Sequence, residues 1–216
     1  MGAAEGAPVG DTGRGPRRPW SDRERDLLDE LERIFFAEGF AHLSVANLTA
    51  RLRVSRSTVY RLAPSKENLV ELVIERIFRH MGRRAREALD KASDPAERVA
   101  AYLSAGTATM RAGSLAFNRD LEANPGTRAI YDRHLAMGMD TLVSLVNDGV
   151  GSGQFGMIPA ALVTQIADAA HVRLRDPAVL ERLGMTHAEA IDGLIRILLE
   201  GIAKDGGVRP PSPALS

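Results

Sequence analysis

Apolar residues spaced three and four apart recur from Leu27 to Ile202, and nowhere does the chain sustain the two-residue alternation of a half-buried strand. That periodicity restricts the fold to packed helices, because a 3.6-residue repeat gathers such residues on one face, which must then be covered. In "THAEAIDGLIRILLEGIA" the residues Ile191, Leu194, Ile195, Leu198 and Ile202 share one side. Capping residues divide the helices. Asp94, Pro95 and Glu97 open one, Asn124 and Pro125 another, Asp176 and Pro177 a third, and Thr186 with Glu189 the last. In each, a polar side chain can accept from the exposed N–H groups, with proline at the first helical position or a glutamate reaching back from the third. The expected fold class is all-α.

The 216 residues suffice for a well-buried core. No apolar run approaches the eighteen or so residues of a membrane helix. Cysteine is absent and the N-terminus has no apolar leader core, so the expected location is cytoplasmic, with no membrane partner. Residues 1–20 hold five glycines and three prolines and read as a disordered basic arm; residues 206–216 read as a flexible tail. Arg14, Arg17 and Arg18 of the arm either follow a DNA groove or simply keep the arm soluble.

Enzymatic signatures are missing. The histidines at 42, 80, 134, 171 and 187 form no His-x-x-x-His or His-Glu pair, so no metal is expected. The glycine-rich "GVGSGQF", residues 149–155, follows a helical stretch and lacks lysine, which makes it a loop rather than a phosphate cradle. There is no Gly-x-Ser-x-Gly elbow, and "NLT" at 47–49 sits inside a helical stretch rather than at a glycosylation site. No cofactor and no catalytic residue are expected.

Charge is distributed unevenly in a chain whose formal net charge is zero: residues 1–86 hold 16 basic and 12 acidic side chains, residues 87–216 hold 12 and 16. Arg53, Arg56, Arg61 and Lys66 lie within "LRVSRSTVYRLAPSKENL", where Glu67 is the lone acid. Ahead of it, a helix with Leu27, Leu28, Leu31, Ile34 and Phe35 inward should close at Gly39. Ser44 can cap a two-turn helix with Val45, Leu48 and Leu52 on its buried face. Arg53 and Val54 make a turn, and Ser55 caps a helix that ends before Pro64. Two short helices joined by a tight turn suit the major groove, which admits a helix and displays a distinct pattern for each base pair. With Val59 inward, a 100° rotation per residue puts Ser57 and Arg61 outward, flanked by Arg56, Thr58 and Tyr60. Arg61, then Arg56, are the expected base readers; Tyr60, Thr58, Ser44 and Lys66 the expected phosphate contacts.

"LLDELERIFFAEGFAHLSVANLTARLRVSRSTVYRLAPSKENLVELVIE", residues 27–75, resembles the DNA-binding domain of TetR-family transcriptional regulators, through "AEGF", "VSRSTVYR" and "SKENL" at the family's spacing. It departs from the family at Arg53 and Ser57, where glycine is usual, and at Leu62-Ala63, where His-Phe is common. The resemblance implies a homodimer that binds double-stranded DNA at a near-palindromic operator. A three-helix helix-turn-helix domain, 21–66, would be joined by its fourth helix to a larger helical effector-binding and dimerisation domain, 67–205. Most members are repressors released by a small molecule.

The connecting helix should run over 67–89, with Leu69, Leu72, Val73, Ile77 and Met81 inward and with Arg79, Arg83, Arg84 and Arg86 complementing its C-terminal dipole. Met110, Phe117, Leu121, Tyr131, Leu135, Met139 and His171 are candidate lining for an effector cavity, although methionine at helical spacing also serves as plain core. The resemblance assigns Leu162, Ile166, Ala170 and the Ile191–Ile202 stripe to the dimer face. The expected function is therefore sequence-specific regulation of transcription, by repression relieved by a small apolar or amphipathic effector. An activator of the same build, or a helical ligand-binding protein or enzyme without DNA function, are the alternatives.

Overall fold

A computed structural model describes residues 19–156 and 159–202. Among these, ten helices follow one another: α1 (Asp22–Glu38), α2 (Val45–Leu52), α3 (Arg56–Leu62), α4 (Lys66–Leu89), α5 (Pro95–Arg111), α6 (Leu115–Ala123), α7 (Pro125–Gly151), α8 (Ala160–Leu174), α9 (Pro177–Leu183) and α10 (His187–Ile202). The chain is all-α, with an N-terminal helix-turn-helix followed by a larger helical part. No helix among the described residues is long and apolar enough to cross a membrane. The basic arm with Arg14, Arg17 and Arg18 and the C-terminal tail lie outside the described residues.

Helix starts follow the capping logic. The Ser21 hydroxyl accepts from Glu24 N–H at 3.3 Å while the Glu24 carboxylate accepts from Ser21 N–H at 2.9 Å, and α1 stops at Gly39, whose φ of 80° suits glycine. Thr186 and Glu189 form the same reciprocal pair at the start of α10. At α5, Asp94 accepts from Glu97 N–H at 2.9 Å, but the Glu97 carboxylate reaches Ser93 N–H at 3.2 Å, one residue earlier than expected.

Leu28, Leu31, Phe35, Leu48, Val59 and Leu62 bury one face each of α1, α2 and α3 against Leu69, Val73 and Ile77 of α4. This core does not stop at residue 66; it continues through Phe117 and Leu121 of α6 to Ile130 and Tyr131 of α7. Helix α4 is therefore covered on two sides, by α1 and by α5 and α7, which explains why Val70, Ile74 and Phe78 are buried beyond the single stripe expected, while Leu72 and Met81 are only half-buried. Arg76 of α4 ties it to α1 through Asp29 at 2.6 Å and Glu32 at 2.5 Å.

A second core joins Val99, Leu142, Leu145, Val146 and Val163 of α5, α7 and α8. Residues 149–151 of the glycine-rich segment expected as loop are the last turn of α7, and Phe155 folds back over Gly149, where a Cβ would stand 2.2 Å from its ring. The α10 stripe also departs from expectation. Ile191 is buried, Ile195 turns inward, and Leu198 packs on the second core, because α10 lies against α5 and α8 of the same chain. Leu162, Ile166 and Val172 of α8 and Ile197 of α10 are left exposed, at 54%, 51%, 50% and 68%.

Candidate DNA face and candidate effector cavity

Helix α3 takes its orientation from a turn without glycine. Arg53 sits in the left-handed region at φ 53°, ψ 44°, and is the one non-glycine with positive φ among the described residues. Val54 N–H donates to Thr49 carbonyl oxygen at 3.1 Å across this turn, and the Ser55 hydroxyl accepts from Thr58 N–H at 3.2 Å to start α3. Val59 and Leu62 anchor the helix in the core, leaving Arg56, Ser57, Tyr60 and Arg61 exposed and Thr58 half-buried. The side chains named from helical rotation thus share one outward surface, and neither Arg56 nor Arg61 has an ion-pair partner among the described residues. Ser57 and Thr58 hydroxyls lie 2.8 and 2.9 Å from the Ser55 hydroxyl. Ser44 is exposed, but its hydroxyl is engaged with Asn47, donating to the Oδ1 atom at 2.6 Å and accepting from N–H at 3.1 Å. Lys66 Nζ donates to the Ala41 carbonyl oxygen at 2.8 Å, which ties the start of α4 to the loop between α1 and α2.

That loop has a second tie, which local sequence gave no sign of. Asp120 of α6 is buried, and its Oδ2 atom accepts from Phe40 N–H at 2.7 Å and Ala41 N–H at 2.8 Å. A Cβ on Gly39 would stand 2.5 Å from the same oxygen, so the glycine serves the close approach as well as the turn. Ser114 N–H donates to the Phe36 carbonyl oxygen at 2.8 Å beside it. The lead into α2 is therefore held from the larger helical part of the chain.

A cavity of about 840 Å³ opens among α4, α5, α7, α8 and α10. Tyr131, Leu135, Met139 and His171 line it, as does Phe78. Phe117 and Leu121 do not: α6 lays them against α1 and α4, where they are 0% and 1% exposed and belong to the packed core. The side chain of Met110 lies outside the described residues. Part of the cavity wall is polar in a way the sequence did not suggest. Tyr131 Oη lies 2.5 Å from His171 Nε2, the Arg175 guanidinium sits 4.8 Å from the centre of the Tyr131 ring, and His187 meets His171 edge-on at 5.8 Å. Burial pushes His171 down to about 4, helped by Arg175 and His187, and pushes Tyr131 up to about 12 against the pull of Arg175. Burial, then Arg175, lowers His187 as well. The two imidazoles and the phenol are therefore uncharged at neutral pH, and Arg175 is paired with Glu122 at 2.9 Å. Asn118 Oδ1 and His187 Nε2, both on the cavity lining, are buried without a hydrogen-bond partner among the described residues. No group of three His, Cys, Asp or Glu among the described residues is placed to hold a metal ion.

Comparisons with known proteins separate the two ends of the chain. Residues 27–73 match the family model described as bacterial regulatory proteins, tetR family. The nucleoid occlusion factor SlmA of Vibrio vulnificus is 31% identical over 118 residues, 54% of this chain and 55% of that protein. A helix-turn-helix-type transcriptional regulator of Mycobacterium tuberculosis is 44% identical over 52 residues, 24% of this chain and 26% of that protein. The chain thus spans about half the length, or less, of these curated relatives. Solved structures agree over much more of it. A transcriptional regulator from Saccharomonospora viridis in complex with choline superimposes with a TM-score of 0.68 at 17% identity, covering 83% of this chain and 97% of that one. The fatty acid degradation regulator FadR from Bacillus halodurans gives 0.64 at 16% identity, covering 85% and 98%. At such identities the superpositions establish the shared fold, while the family model locates the sequence similarity at the N-terminal end. Residues 27–73 thus carry the sequence pattern of the tetR family of bacterial regulatory proteins, and the fold is shared with solved structures over most of the chain.

Proposed function

We propose that the protein is a sequence-specific DNA-binding transcriptional regulator, acting as a dimeric repressor that leaves its operator when a small molecule occupies the cavity. The observation that carries this reading is the outward face of α3, where Arg56, Ser57, Tyr60 and Arg61 stand exposed on a helix anchored by Val59 and Leu62. A guanidinium can hold guanine O6 and N7 with two hydrogen bonds, which gives Arg61 and then Arg56 the base-reading role. Tyr60, Thr58, Ser44 and Lys66 contact phosphates and fix the register, with Ser44 acting beside its own cap.

A dimer would present two such helices to successive major grooves about 34–36 Å apart. The exposed Leu162, Ile166 and Ile197 support pairing through α8 and α10, since water contact with large apolar side chains is unfavourable. Helix α6 supplies a physical link between the two ends. Asn118 faces the cavity and Asp120, about 200° further round the same helix, holds the loop ahead of α2. An effector that binds one placement of α6 better than another shifts the spacing of the recognition helices; equal affinity for both would shift nothing. Choline in the S. viridis structure supports small-molecule occupancy within this fold.

The test is selection of bound fragments from a random DNA pool at fixed salt, because phosphate contacts make affinity salt-dependent. Enrichment of one inverted repeat is expected. A stable dimer that enriches no sequence would leave a helical ligand-binding protein without DNA function as the better reading.

A further inference from the structure

The chemical class of the effector is written in the rim of the cavity. Arg79, Arg83, Arg86 and Arg111 all line it, and among the described residues no aspartate or glutamate does. Two of the four are partly neutralised, Arg79 by Glu75 at 3.1 Å and Arg111 by Asp192. Arg83 and Arg86 have no ion-pair partner among the described residues. The helix dipole accounts for Arg86 in the last turn of α4, but it fades within that turn, and Arg79 and Arg83 lie ten and six residues before the helix ends at Leu89. A surplus of unpaired positive charge around an apolar opening therefore needs another account.

Further in, the walls are apolar, from Phe78, Leu103 and Leu142. Asn118 Oδ1 and His187 Nε2 mark the void as a place for a ligand rather than a packing defect, since buried polar atoms are seldom left unsatisfied. The volume of about 840 Å³ lies within the range of sites that hold small molecules. Choline is a cation, and these walls offer no carboxylate to meet one.

We infer that the cavity takes an amphipathic anion, whose apolar body lies between α4, α5 and α7 and whose anionic head is held at the rim by Arg83 and Arg86, with Arg79 and Arg111 adding to the field. The inference rests on the effector-cavity reading proposed above and narrows it to one class of ligand.

The test compares three probes of equal chain length, decanoate, decan-1-ol and decyltrimethylammonium, titrated calorimetrically into the full-length protein. Gly106→Phe provides the control for location: Gly106 lines the cavity and a Cβ there meets nothing within 4 Å, so a larger side chain at that position is expected to occupy the space. Decanoate is expected to bind most tightly, by about fivefold to tenfold over decanol, with binding lost in Gly106→Phe. In Arg83→Gln/Arg86→Gln the preference for the anion should disappear while decanol affinity stays the same. Cavity binding without preference for decanoate, or a preference that survives the double substitution, overturns the anion inference alone. If no probe binds, or if binding persists in Gly106→Phe, the effector-cavity reading falls and the inference falls with it.

Discussion

The two ends of this protein are packed to different standards. Around α1, α2 and α3 the inward side chains are almost wholly excluded from water, with Leu28, Leu31, Phe35 and Leu48 all at 0% exposure. Among α4, α5, α7, α8 and α10 the same apolar helices surround a cavity, leave two polar atoms unsatisfied, and keep large apolar residues on the outer surface. A close-packed interior has one arrangement at low energy, whereas a helical shell around open space can be reshaped by whatever fills it. The rigid end is suited to presenting fixed side chains to DNA and the open end to responding. Asp120 joins them through hydrogen bonds between residues 80 and 79 positions apart in sequence.

The largest expected effect contrasts the two standards directly. Phe117→Ala, in the packed region, should lose about 3–5 kcal/mol in denaturant unfolding, as truncation of a fully buried aromatic does. Gly106→Leu, in the open region, should cost nothing and gain up to about 1 kcal/mol from helix propensity. Comparable losses in both variants would break the contrast.

Acid should act on the open end. The folded value of His171, near 4, lies below its ordinary 6.5. Above pH 6.5 the imidazole is neutral in both states; as pH falls, the unfolded chain takes up a proton that the folded one refuses, so stability declines between about 6.5 and 4. The loss from this group should reach about 3 kcal/mol, and His171→Phe should flatten that limb of a stability-against-pH curve. An unchanged limb would remove the burial argument for His171.

The tie between the ends comes next. Asp120→Ala leaves the Phe40 and Ala41 N–H groups without their acceptor and should cost about 2 kcal/mol, with hydrogen exchange rising at residues 39–44 before the rest of α1. Uniform exchange across the molecule would mean that the tie is ordinary packing. The smallest effect belongs to Arg53→Gly. Glycine relieves the left-handed backbone at the turn, and thermal unfolding should show a gain of at most about 1 kcal/mol.

How much of this was legible in the sequence follows from the range of the forces involved. Helix starts were, because a cap is a contact between residues three apart, as at Ser44, Asn124 and Thr186. The α3 face was as well, since one inward residue, Val59, fixes the direction of its neighbours by rotation alone. What depends on two distant segments was not. Nothing around Asp120 indicates that it accepts from a loop near residue 40. The cavity was placed by residues such as Tyr131 and Leu135, while its polar lining, with Asn118 and His187, was missed because α6 and α10 bring those side chains to it only once the helices have packed. Phe117 and Leu121 were misplaced for the same reason: periodicity says that a side chain is buried without saying against what.

The central claim is that the outward face of α3 reads base sequence, and its most direct measurement uses the repeat enriched from a DNA pool. Affinities of the wild-type protein and Arg61→Ala are compared on that duplex and on a scrambled duplex of equal length at the same salt. The wild type should favour the repeat, and Arg61→Ala should lose about 1–3 kcal/mol on it while binding the scrambled duplex almost as before. An Arg61→Ala protein that folds, pairs and still discriminates between the two duplexes as the wild type does would contradict the account.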